Sequence, residues 1–355
     1  GMFIKASAFN QPLDSWDVSR VTSMAWVFNQ AWAFNQPLAS WDVGSAVTST
    51  EMFYGALSFD QPLDSWDVSS VSTMDHMFSQ AEVFNQPLDS WDVGSVRDMG
   101  STFGVTAAFN QPLESWDVGK VEYFQGAFYD AIGFNQPLES WTLGARPTGL
   151  QRMPYNASAF NQDLDSWDVG SVTRMQYMFS RASAFNSPLN SWNVSSVTSM
   201  TRMFEAASAF NQPLNKWQVA SVQNMYGLFS GASAFNQPLN SWNVSQVTEM
   251  ESMLQGTSAF NQPLDSWQVA SVTSMWAMFN NARAFNQPLD SWQVGSVGIM
   301  GYMFDGASAF NQDLCAWGGT YSGWKYYTGM FSWSRCESKD PPTSSGANWC
   351  KASCA

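Results

Sequence analysis

Apolar and polar positions in this chain recur with a period of 25 residues. Phenylalanine opens the segment Phe-Asn-Gln-Pro-Leu or a close variant at Phe9, Phe34, Phe59, Phe84, Phe109, Phe134, Phe160, Phe185, Phe210, Phe235, Phe260, Phe285 and Phe310. The step is 25 throughout, except for 26 between Phe134 and Phe160. Tryptophan keeps the same step from Trp16 to Trp317, and this ladder takes thirteen of the 19 tryptophans. So fixed a period implies coils that bury their apolar sides against one another. Within one coil, Trp16-Asp17-Val18 alternates as a strand with one buried face does. Val21, Met24, Val27, Phe28, Ala31 and Phe34 then recur at steps of three and four or close to them, one stripe of a helix. Ser19 and Thr22 stand where they could cap it, and Pro12 belongs in the connection leading to the strand. The expected fold is an α/β solenoid with one short parallel strand and one short helix per 25-residue coil. Its Phe, Trp, Val and Met ladders are read as core. The Asn after each Phe, replaced only by Asp60, is read as an inward amide ladder that satisfies backbone groups at a bend.

These residues carry a resemblance. L-x-x-W-x-V resembles the L-x-x-L-x-L of leucine-rich repeats. The unit W-D-V-S-S-V-T-S-M-x-x-M-F-x-x-A-S-A-F-N-Q-P-L resembles the repeat of the BspA-like surface proteins of bacteria and of secreted algal proteins. It spans residues 2 to about 317 and implies an extracellular, leucine-rich-repeat-like protein, with little implied about activity.

The domain reading is a repeat solenoid of 12 to 13 coils over residues 1–317, with an irregular coil at 141–160, followed by a Cys-containing C-terminal cap at 318–355. The irregular coil holds Pro147, Gly149, Pro154 and the extra residue, and is read as a tolerated surface insertion ahead of a hinge or binding loop. Gly1 to Phe9 match the end of a coil, so a cap, further repeats or a partner chain is expected before Gly1. Cys315, Cys336, Cys350 and Cys354 all lie at the C-terminal end. An even count confined there favours two disulfides and an oxidising compartment. Three pairings are open, with Cys336–Cys350 and Cys315–Cys354 favoured. A zinc site is the alternative, although C-x-x-C and a nearby histidine are absent.

Composition narrows the function. Charged residues make up only 12%, and net charge is −14, so no basic nucleic-acid footprint exists. No apolar run is long enough to span a bilayer. The single histidine, His76, argues against His-based catalysis. Phosphate loops, a nucleophile elbow and Cys–His pairs are missing. Carboxylate ladders offer a glycosidase neither pocket nor asymmetry. The chain is therefore read as no enzyme.

The x of Trp-x-Val, expected on a concave face, reads Asp17, Asp42, Asp67, Asp92 and Asp117, then mostly amides after Thr142 and Asp168. Asp14, Asp64, Asp89, Glu114 and Glu139 form a parallel row. Asp17, Asp42, Asp67, Asp92 and Asp117 are the ligand-binding candidates. No cofactor is expected, although calcium is a candidate for offsetting like charges. Sequons at Asn156, Asn193 and Asn243 are glycosylation candidates. Trp26 and Trp276 are read as sharing the variable position between Met and Phe of the stripe, and together with Trp32 as partly buried against the next coil. The functional expectation is a secreted or cell-surface structural or adhesive scaffold, whose partners are other surface proteins, copies of itself or glycans. The second expectation is a recognition module that binds a basic protein, a glycan or calcium on the acidic face.

Overall fold

The computed structural model describes residues 1–144, 147, 149–323 and 325–354. It divides into two compact units, Gly1–Val172 and Thr173–Ala355. Each is a stack of coils in which equivalent residues lie on one another.

The expected α/β solenoid, with a strand and a helix in each coil, does not form. Among the described residues the one helix is a short 3-10 turn, Cys315–Thr320. Strand-like pairing is limited to single-residue parallel bridges. In unit 1 they run Ser23–Thr48–Thr73–Asp98–Tyr123, and in unit 2 from Arg174 through Ser199, Asn224, Glu249, Ser274 and Ile299 to Tyr326. The bridges sit within the stripe that was expected to be helical, one residue before its Met, not at Trp-x-Val.

The coil at Met200–Ala207 gives the reason. Met203 N–H bonds Met200 O at 3.1 Å, and Ala207 N–H bonds Phe204 O at 3.2 Å. The third residue of each turn is left-handed, Arg202 at φ 51° and Ala206 at φ 54°, the signature of type II turns. Two four-residue turns in succession place Met200, Met203, Phe204 and Ala207 on one side, with the same three- and four-residue steps a helix gives. Every second amide points to the next coil. Met200, Arg202, Phe204 and Ala206 donate to the carbonyls of Asn224, Tyr226, Leu228 and Ser230 at 2.6–3.0 Å. In an α-helix those N–H groups would bond four residues back; here every second one joins neighbouring coils.

The two left-handed sites recur four residues apart in coil after coil, as Trp26 and Gln30, His76 and Gln80, and Ser252 and Gly256. A Cβ on Gly256 would meet only Gly231 backbone, at 3.6 Å. Gly256→Ala is therefore expected to cost about 1 kcal/mol through φ alone, and Ala206→Gly to return a similar amount. Urea denaturation of the two variants reads both signs.

The apolar ladders are buried. Phe28 stacks on Phe34 within its coil at 4.0 Å and on Phe53 of the next at 5.5 Å. In unit 2, Trp217 stacks on Trp192 and Trp242 at 6.4 and 6.3 Å. Buried ladder indoles donate to a leucine carbonyl of the preceding coil, as Trp41 to Leu13 O at 2.9 Å and Trp242 to Leu214 O at 3.1 Å. This solves the problem of burying a polar N–H in the core.

The Asn row is exposed or half-buried rather than inward. Within each unit the side-chain oxygens accept the backbone N–H of the counterpart in the next coil, up to Asn286. Asn236 Oδ1 takes Asn261 N–H at 3.0 Å and the Gln262 amide at 3.1 Å. Only an acceptor is used, which explains Asp60: it takes Asn85 N–H and the Gln86 amide, both at 2.9 Å. Asn236→Asp should fold with near-native stability. Asn236→Ala, which orphans the Asn261 amide, should lose about 1–2 kcal/mol in the same urea assay.

The irregular coil keeps the ladders. Phe134 stacks on Phe160 at 6.1 Å and Trp141 on Trp167 at 6.4 Å. Gly126 N–H reaches Gln151 O, a step of 25 where other coils use 24, so the extra residue lies before Gln151. Pro147 and Pro154 interrupt no helix, because none is there, and Met153–Pro154 is cis.

Past Trp317 the sequence motif is lost, yet the backbone pattern persists. Met300, Tyr302, Phe304 and Gly306 donate to Tyr326, Thr328, Met330 and Ser332. Cys315 is bonded to Cys354 and Cys336 to Cys350. Trp349 is fully buried, edge-on to Trp317 and Tyr327 at 6.4 and 5.6 Å.

Candidate functional site

The Trp-x-Val row is exposed from Asp17 to Gln293. Its carboxylates have local work. Asp17 Oδ1 accepts Ser19 N–H and its hydroxyl at 3.1 and 2.6 Å. Asp42, Asp67, Asp92 and Asp117 accept the N–H two residues on, at 2.9–3.1 Å. These are Asx turns, in which a short acidic side chain closes its own backbone turn. Hydrogen bonds from Ser19 and Ser69 hold the Asp17 and Asp67 carboxyls below the usual range. Asn193 and Asn243 do the same toward Ser195 and Ser245. Asp14, Asp64, Asp89, Glu114 and Glu139 are exposed. Among the described residues no three His, Cys, Asp or Glu side chains come together as a metal-holding group. The Asn156 amide nitrogen donates to Asp130 Oδ1 at 2.5 Å.

Trp26 and Trp276 occupy different positions. Trp26 is left-handed, as Ala277 is, while Trp276 precedes Ala277 and meets Tyr302 edge-on at 6.1 Å. Trp26, Trp32 and Trp276 are all exposed.

Sequence reasoning passed over a different surface, the edge built by the left-handed turns. Three side chains per coil project there: the first left-handed residue, the residue three further on, and the second left-handed residue. In unit 1 this edge holds a cleft of about 270 Å³. One wall carries Tyr54 and His76, with ring centroids 6.2 Å apart, and Gln80 donates to the Tyr54 hydroxyl at 2.7 Å. The other wall carries Tyr129 stacked on Tyr155 at 5.0 Å, beside Arg152. Burial pushes the Tyr129 phenol up. Between the walls the floor is Ser101, Gly104 and Gly126. The irregular coil thus contributes Arg152 to this wall and backs Tyr129 with Tyr155.

His76 is held by Asp75 at 2.8 Å. That hydrogen bond, aided by the charges of Asp75, Glu51 and Asp98 and opposed by partial burial, raises the imidazole above its usual 6.5. Burial likewise raises the Asp98 carboxyl. A raised folded pKa means that the His76–Asp75 pair adds stability fully below the unfolded value, and loses it as pH rises through the folded one. As the sole histidine, His76 gives one imidazole signal in proton NMR. Its midpoint should lie above 6.5 and fall in Asp75→Asn.

The chain matches one family model, described as Mycoplasma protein of unknown function, DUF285, at residues 1–82, 58–148, 147–241 and 225–340. Among curated proteins none matches. No helix among the described residues is long and apolar enough to cross a membrane.

Proposed function

We propose, for a chain that belongs to the DUF285 repeat family, the work of a non-enzymatic structural or adhesive scaffold outside the cell, acting through contacts of its repeat surface. The observation that carries this reading is a division of labour within each coil. The Phe, Trp and Asn ladders hold neighbouring coils together with the same bonds each time, while the outward positions vary freely from Trp26 to Ser101 to Arg202. A frame maintained in this way suits the presentation of many contacts. Two disulfides suit an oxidising compartment. The finer likeness to BspA-like surface proteins and to leucine-rich-repeat solenoids belongs to this proposal, as do surface proteins, copies of the chain and glycans as partners.

Mass spectrometry and sedimentation of native-source material, with and without a calcium chelator, test it. Large, chelator-resistant assemblies are expected. A monomer whose stability falls on chelation overturns the scaffold and favours calcium-dependent recognition.

A further inference from the structure

The cleft on the left-handed edge of unit 1 contains a gap in a column of side chains. At several coils of unit 2 the side chain three residues after the first left-handed site bonds its counterpart 25 residues on. Ser180 Oγ donates to Glu205 Oε2 at 3.1 Å, Ser230 Oγ to Gln255 Oε1 at 3.4 Å, and Asn280 Nδ2 to Asp305 Oδ2 at 3.0 Å. In this column Ser79 faces Gly104, which has no side chain. Ser79 is 4% exposed, and its hydroxyl makes no hydrogen bond to another described residue. A Cβ on Gly104 would stand 3.3 Å from Ser79 Oγ, so the missing side chain is what opens this hydroxyl to the cleft. Open to the cleft, that hydroxyl is free to exchange water for a ligand hydroxyl.

We propose that this cleft binds a neutral oligosaccharide, one sugar ring lying between the Tyr54–His76 and Tyr129–Tyr155 walls with its hydroxyls on Ser79 and Ser101. Aromatic faces receive the apolar face of a sugar ring, and hydroxyl and amide groups fix its edge. The charges favour a neutral ligand. Arg152 and His76 stand among Asp75, Asp98, Glu51 and Asp130, so an anion meets surrounding carboxylates. A basic peptide would meet Arg152 and His76 instead. The floor of serine and glycine offers no apolar pocket for a peptide side chain. This inference rests on the scaffold reading and deepens it by giving its glycan partners a site, and sugar binding is read separately from assembly.

Isothermal titration calorimetry with cellohexaose, laminarihexaose, mannohexaose and chitohexaose tests it on the full chain. At least one should bind. Gly104→Gln copies Gln255 at the equivalent position, restores a partner for Ser79 and fills the floor; it should weaken binding about tenfold or more while keeping the fold by near-ultraviolet circular dichroism. Tyr129→Ala should weaken binding similarly, and Trp276→Ala in unit 2 should leave it unchanged. Four silent hexasaccharides overturn the proposal, as does binding that survives both Gly104→Gln and Tyr129→Ala. Hexalysine binding that is lost in Gly104→Gln, with no sugar bound, overturns it in favour of a basic-peptide groove.

Discussion

Trp217→Ala is expected to cost unit 2 about 4–5 kcal/mol. Trp217 is 2% exposed and stacks on Trp192 and Trp242, with Phe204 tilted against it at 6.3 Å. Its removal opens a cavity in a stack whose coils cannot close up, since the backbone bonds on either side fix their separation. Large-to-small changes of this kind cost about 3–5 kcal/mol. The Leu189 carbonyl also loses the indole N–H at 2.8 Å, adding to the loss. Trp217→Phe keeps a stacked ring and loses mainly that bond, so about 1–2 kcal/mol is expected. Urea denaturation gives the totals. Hydrogen exchange should place the opening in the coils that touch Trp217, since a repeat stack depends on nearest neighbours. Equal costs for the Ala and Phe variants would mean that ring stacking contributes nothing.

Opening both disulfides should release the last segment while leaving the coils in place. The Cys315–Cys354 link closes a separation of 39 residues and Cys336–Cys350 one of 14. By loop-closure entropy these contribute about 4 and 3 kcal/mol. Against them the chain beyond Ser332 offers one large buried anchor besides the cysteines, Trp349. In the quadruple Cys→Ser variant, Trp349 should leave its buried site, giving a red shift in emission and rapid exchange beyond Ser332. Phe304 and Phe310, stacked at 3.9 Å, should remain protected. Exchange spreading through the coils of unit 2 would instead make the disulfides a requirement for the stack.

The repeat and its interior were legible because identical residues recur at identical ranks. The secondary structure was not. Met200, Met203, Phe204 and Ala207 have helical spacing, and successive four-residue turns reproduce that spacing. The deciding feature, a left-handed residue every fourth position, carries no composition signal: Arg202, Ala206, Val105 and Trp26 all adopt it beside Gly256. Trp-x-Val alternates because the segment crosses between two turns, Leu13 to Trp16 and Val18 to Val21, with one side chain in and one out. No ladder bond is involved. The Asp row was visible, but its spacing to the Ser or Gly two residues on, which makes each an Asx turn, was not used, and Ser19 was read only as a cap. The cleft depends on Gly104 standing between Ser79 and Tyr129 in the column that contains Tyr54, beside Gly126 in the column of His76 and Ser101. Those columns emerge only once coils are aligned on their left-handed residues.

The bridges that pass from Ser199 to Asn224 to Glu249 join equal ranks of successive coils. Chain length within such a stack is therefore quantised. Excising 25 residues between Ser199 and Ile299 brings like against like, and every donor finds the acceptor it would have met anyway. Any other increment must be absorbed in a connecting turn, as the single extra residue before Gln151 is. Duplication and loss of whole coils thus offer evolution a way to resize this protein without solving its packing again.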